Sequence, residues 1–204
     1  LYGRWQIVEA GKHPKTKRSL RLALETQSHR ALLFSASDIN VLKSEVLADH
    51  PFLAKIGPDI LESDLTWRII SKRLVSNRFK NRQLASLFLD QSFLAGIGNY
   101  LRSEILFDAK VNPLKKPKEL PRTHNNQISR STLKICQRAY AQNGVTNPES
   151  LVRKLKILGI PRSGYRHAVF GRIGKDCHAC KTPIEKITIA SRRLYVCPRC
   201  QNVN

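Results

Sequence analysis

Residues 177–200 read CHACKTPIEKITIASRRLYVCPRC, and this stretch sets the frame for the rest. Two Cys-x-x-Cys pairs, Cys177/Cys180 and Cys197/Cys200, are separated by sixteen residues. A Cys-x-x-Cys turn presents two sulfurs to one side of a metal, and two such turns complete a four-thiolate tetrahedron, the arrangement zinc favours. The intervening segment is long enough for a β-hairpin, with Ile184, Ile187, Ile189 and Leu194 available to pack beneath it. So small a unit has little core of its own and needs the metal to hold it. Four protein ligands leave no position open for substrate or water, so the zinc is expected to be structural. The competing reading is a redox dithiol at one pair. The adjacent arginines Arg192 and Arg193 sit inside the hairpin, where neither serves the metal.

Outward from the hairpin, charge dominates. The 204 residues carry 36 Lys and Arg against 15 Asp and Glu, a net +21. Such a surface repels itself unless a polyanion relieves it, which points to nucleic acid ahead of a generic basic or ribosomal role. Apolar residues make up 41%, enough for a packed core. No apolar run reaches membrane-spanning length, so the chain is expected in solution, and no secretory leader pattern is read. The fifth cysteine, Cys136, lies among helical apolar positions and is expected to be a small buried hydrophobe. The chain starts at Leu1 and contains no Met, which suggests a fragment or a processed product.

The pattern along the chain gives an α+β fold. Residues 1–42 hold three strand-like runs, LYGRWQIVEA, SLRLALET and RALLFSAS, too few to close a sandwich without partners. Gly57-Pro58 and the acidic residues after it read as a linker, with a boundary near 60–65. Helical periodicity follows. Thr66 is a candidate N-cap ahead of Ile69, Ile70 and Leu74. QLASLFLDQ forms a short helix, YLRSEILFDA another, and residues 123–142 a longer one through Ile128, Ile135, Cys136 and Ala139. Asn147 and Pro148 read as N-cap and first helical residue of a further helix. Gly96-Ile97-Gly98-Asn99 makes a glycine turn into a helix N-terminus, a place for a phosphate or simply a tight interhelical turn. Asn99 stands where an N-cap would. Arg78, Lys80 and Arg82 form a basic run that could equally be a solvated face.

Leu89-Asp90-Gln91, AGIGNYLRSEILF (95–107), VFGRIGKDCHAC and CPRCQ together resemble the formamidopyrimidine-DNA glycosylase/endonuclease VIII family. LYGRW, SASDI, HPFL and GPDIL look like its bacterial endonuclease VIII branch; residues 110–165 match the family pattern poorly. The resemblance implies a partial N-terminal β-sandwich (1–62), a helix–two-turns–helix domain (63–168) and a hairpin zinc finger (169–204). It implies a bifunctional DNA glycosylase and abasic-site lyase of base-excision repair, acting on oxidised bases, pyrimidines above all, in double-stranded DNA. One structural Zn2+ would be held by Cys177, Cys180, Cys197 and Cys200. Arg192, five residues before the third cysteine, matches the finger arginine that grips phosphates and serves the second elimination step. Asn99 matches the phosphate-binding asparagine, and Lys55 stands where a basic DNA contact is found, usually an arginine. Leu1 and Tyr2 match residues that fill the gap left by a flipped nucleotide. The family's N-terminal proline nucleophile, the glutamate after it and the elimination lysine have no counterparts here, so these 204 residues alone are expected to be inactive. The resemblance also implies a bacterial cytoplasmic protein, associated with the nucleoid while acting. The alternative is a non-enzymatic, zinc-dependent nucleic-acid binder.

Overall fold

The computed structural model describes residues 3–189 and 191–203. Leu1 and Tyr2, the expected gap-fillers, lie outside the described residues. Leu1–Leu53 and Ala54–Asn204 form two compact units.

The first unit is a three-stranded antiparallel sheet of β1 (Arg4–Glu9), β2 (Leu20–Glu25) and β3 (His29–Phe34), in the order β1-β3-β2. The three strand-like runs therefore pair with one another. The register sets Gln6 against Leu32 and Arg4 against Phe34. Leu32 and Phe34 are two apart, so the pleat turns both to one face, and both are buried.

The second unit is mainly helical. Its helices are α1 (Trp67–Leu74), α2 (Leu84–Leu87), α3 (Asn99–Asp108), α4 (Arg122–Ala141), α5 (Glu149–Ile157), α6 (Arg162–Tyr165) and α7 (Pro198–Gln201). β4 (Glu185–Ile189) and β5 (Arg192–Val196) form an antiparallel hairpin. Thr66 caps α1 as expected, its hydroxyl accepting from the Ile69 N–H. Ile70 and Leu74 enter the core while Ile69 stays exposed, so the apolar stripe of α1 is narrower than its sequence suggests. The core joins Leu74, Phe93, Ile105 and Ile128, with Phe79 and Phe88 packed edge-on against Phe93. Cys136 is part of this core, and burial pushes its thiol up to about 12.

Two local expectations fail for stated reasons. The stretch read as a linker after Gly57 is bound into the helical unit. The Gly57 N–H donates to the Gln91 carbonyl, Ala95 donates to Pro58, and Ile60 donates to Ala95. Ile60 and Leu65 are buried. Asn147 does not cap α5. Its amide donates to the Tyr165 carbonyl, and Pro148 occupies the cap position with no side-chain bond.

Glu104, on α3, fastens the helices to the segment leading into the finger. Its carboxylate is 1% exposed and accepts from the N–H groups of Ala168, Val169 and Phe170 at 2.8, 2.9 and 2.8 Å. The Thr146 hydroxyl adds a fourth bond at 2.6 Å. Four donors around one buried carboxylate replace the water it gave up.

Candidate nucleic-acid interface and metal centre

The cysteines meet as their spacing predicts. The four sulfurs lie within 4.8 Å of one another. Cys177 and Cys200 are 3.9 Å apart, and Cys180 and Cys197 are 3.4 Å apart. A tetrahedron with zinc–sulfur bonds of ~2.3 Å has sulfur–sulfur edges of about 3.8 Å, so the cage has the right size. The first turn closes through Cys177 N–H to the Thr182 carbonyl and Lys181 N–H back to the Cys177 carbonyl. Lys181 takes a positive φ of 66° there. In the second turn the Cys200 N–H points at the Cys197 sulfur. Hydrogen bonds from Thr182 pull the Cys180 thiol down to about 6, while burial pushes Cys197 up to about 11 and Cys200 higher still. Four crowded sulfurs cannot ionise together without a cation, and a zinc ion is what this donor set fits. Gln201 ties the cage to the helical core: it accepts from the Cys197 N–H and donates to the Val111 carbonyl.

At the other end of the hairpin, Ile189 pairs with Arg192 and Thr188 with Arg193. Successive strand residues point to opposite faces, so the two arginines diverge. Arg192 lines a groove with Arg82, Ser86, Leu89, Asp90, Arg102 and Ile189. Arg82 and Asp90 form an ion pair there. Burial opposes the Asp90 charge, but the Ser92 hydrogen bonds and Arg82 hold its carboxyl below the usual range.

The glycine turn is held from behind by Gln91. Its Oε1 accepts from the Gly96 N–H at 3.0 Å, and its Nε2 donates to the Ile97 and Leu89 carbonyls. Gly96 adopts φ +91°, a conformation that disfavours any residue with a Cβ. The N-cap of α3 is Gly98, not Asn99; Gly98 has extended backbone and no side chain to cap with. Asn99 is the first helical residue and half-exposed, and its Oδ1 accepts from Arg102 at 3.2 Å. That bond fixes the amide so that its N–H groups are the donors left for a ligand.

Arg102 is the residue that sequence reasoning missed. It is fully buried on α3. One terminal nitrogen donates to the Ala85 carbonyl at 2.7 Å; the other donates to Asn99 Oδ1 and, at 2.8 Å, to the Arg193 carbonyl. Burial, then the neighbouring Arg192 charge, pulls its guanidinium down to about 10, still cationic at neutral pH. Ser103 adds a second tie, accepting from the Tyr195 N–H while donating to the Asn99 carbonyl. The turn carrying Asn99 and the strand carrying Arg192 are thus one braced body. The only hint in the sequence is a lone cation three residues after Asn99, in the helix YLRSEILFD. Lys55 is exposed at the end of a single 3-10 turn, two residues before the pinned Gly57. No bond among the described residues joins it to Asn99 or Arg192.

Fold and site together define a helix–two-turns–helix protein with a zinc-held arginine hairpin. The comparisons agree. The family model described as the formamidopyrimidine-DNA glycosylase H2TH domain matches residues 56–149, and the zinc finger found in FPG and IleRS matches 174–203. The first match takes in residues 110–149, so that part of the stretch expected to match the family poorly belongs to its pattern. Endonuclease 8 of Shigella sonnei is 42% identical over 202 residues, 99% of this chain and 73% of that protein. Endonuclease 8 of Salmonella arizonae is 43% identical over 201 residues, 98% of this chain and 73% of its own length. Among solved structures, MutM in complex with DNA containing carbocyclic 8-oxo-G superposes with a TM-score of 0.75 at 22% identity, over 98% of this chain and 71% of that one. Lactococcus lactis Fpg bound to abasic-site DNA gives 0.73 at 22%, over 98% and 70%. The chain belongs to the formamidopyrimidine-DNA glycosylase/endonuclease VIII family, whose members are DNA glycosylases and abasic-site lyases of base-excision repair. That membership disfavours the non-enzymatic binder.

Proposed function

We propose that this chain serves base-excision repair of the endonuclease VIII type, on duplex DNA carrying oxidised pyrimidines or abasic sites, in the bacterial cytoplasm. What its described residues bring to that activity is the grip on the backbone. The observation that carries the reading is the Arg102 brace, which ties Asn99 to the strand bearing Arg192. Extruding a nucleotide costs a few kcal/mol of unstacking, and phosphate contacts on a rigid frame offset it. Asn99 donates its amide N–H to one phosphate oxygen; Arg192 offers a guanidinium fork to the phosphate at the lesion. In the second elimination a phosphate leaves with its negative charge, and a cation already in place lowers that barrier. Lys55 adds a further backbone contact. The zinc holds the hairpin in position and takes no part in the chemistry.

The test is equilibrium binding to a duplex containing an abasic-site analogue. Arg192→Ala should weaken binding by about 10- to 100-fold and Asn99→Ala by roughly tenfold, the cost of one charged or one neutral hydrogen bond. Zinc content should stay unchanged in both. Affinities equal to the parent chain's would remove both residues from the interface.

A further inference from the structure

A second basic surface lies on α1 and α4, apart from Asn99. A groove of about 600 Å³ is lined by Trp67, Arg68, Lys72, Lys118 and Arg122, with Asn125 and Asn126 at its base. Its cations are exposed, and among the described residues none has a carboxylate within salt-bridge distance. The nearest acid in sequence, Glu119, is turned to the Lys116 N–H. Trp67 organises the wall. The Arg130 guanidinium carbon lies 3.9 Å from its ring centroid and that of Arg68 4.7 Å. A guanidinium stacked on an indole keeps its edge N–H groups outward and loses less freedom on binding an oxyanion than a mobile lysine does. A bond from Ser71 to Asn126, at 2.8 Å, locks the two helices beneath.

A backbone bond links the edge of the groove to the segment that carries Arg82. The Lys118 N–H donates to the Lys80 carbonyl at 3.1 Å, and Lys80 belongs to the basic run ending at Arg82, which faces Arg192 across the next groove. We infer that the α1–α4 groove is a second nucleic-acid contact, which takes the phosphate backbone of the duplex flanking the lesion. Arg122 and Arg130 are eight residues apart on one helix, about 12 Å, which matches the rise of three to four nucleotides on one strand. The cations without a carboxylate partner and the backbone link to the segment carrying Arg82 favour DNA over an acidic protein segment. The inference rests on the proposed DNA-binding role.

The experiment uses the full chain and two abasic-analogue duplexes, a short one centred on the lesion and a longer one with added flanks. Two double variants avoid dependence on one set of side chains: Arg68→Gln with Arg130→Gln, and Lys72→Gln with Lys118→Gln, the latter leaving the Trp67 stack whole. Each should bind the short duplex like the parent and the long duplex roughly tenfold more weakly. The slope of log affinity against log salt on the long duplex should fall by about two, one per lost phosphate contact. No gain in parent affinity with length, or equal losses on both duplexes, would overturn the inference. So would a polyglutamate peptide that loses binding in the variants while flank binding does not. Failure of the short duplex to bind at all would count against the Asn99 and Arg192 reading, while the length dependence would still decide the groove.

Discussion

Arg102 shows what single residues decide here. Its side chain serves three acceptors drawn from residues 85, 99 and 193, and its Nε has no partner among the described residues. Removing the guanidinium strands the buried Ala85 carbonyl and the partly buried Arg193 carbonyl, and releases the Asn99 amide. Arg102→Met is therefore expected to lower stability by about 2–4 kcal/mol, read as a shift of the urea midpoint. It should also weaken abasic-duplex binding although Asn99 and Arg192 are both intact. Arg102→Lys should not rescue either property, because one ammonium cannot span three acceptors in this fork. Parent-like DNA affinity in both variants would show that the turn and the hairpin keep their places unaided. The cysteines were legible at this scale because four ligands at fixed spacing carry their geometry in the sequence. Arg102 was not, since its acceptors come together only once residues 85 and 193 have folded against it.

Among elements, the stitch between residues 57–60 and 91–95 supports the glycine turn from below. It requires that backbone pass against backbone. A Cβ at Gly57 would lie 2.7 Å from the carbonyl oxygens of both Ser92 and Phe93, and neither can swing aside as a side chain would. Gly57→Ala is expected to cost about 1–3 kcal/mol, the usual penalty for overpacking, and to loosen the turn that presents Asn99. By contrast, Gly98→Ala meets nothing within 4 Å and should be nearly neutral. Thermal melts of the pair measure the contrast, and equal melting temperatures would contradict it. The long helices were readable in advance: the periodicity gives 123–142 and the structure has Arg122–Ala141. The caps were not, at Asn99 and at Asn147. A capping side chain is chosen by backbone geometry and competing acceptors, and the Tyr165 carbonyl claims Asn147.

At the scale of the molecule, the finger has its own small core of Val169, Ile184 and Tyr195 around Cys177 and Cys197. The helical core is a separate and larger cluster. Chelating the zinc should therefore collapse the hairpin and most of the DNA affinity, while the greater part of the helical circular-dichroism signal remains. Cys197→Ser should reproduce both effects. A fully unfolded apo-protein would show instead that the helical core depends on the finger. The net charge of +21 already announced a polyanionic partner, but only the folded chain shows which cations line its grooves. One consequence of the brace concerns which changes the hairpin can absorb. Arg102 recognises position 193 by its main-chain oxygen, so the side chain there is open to exchange. Chain length is not open in the same way. Inserting one residue within β4 would leave the metal cage intact yet shift the pairing beyond it by one position and turn those side chains to the opposite face. Drift within the paired strands should therefore proceed by replacement, while additions and deletions there are rejected.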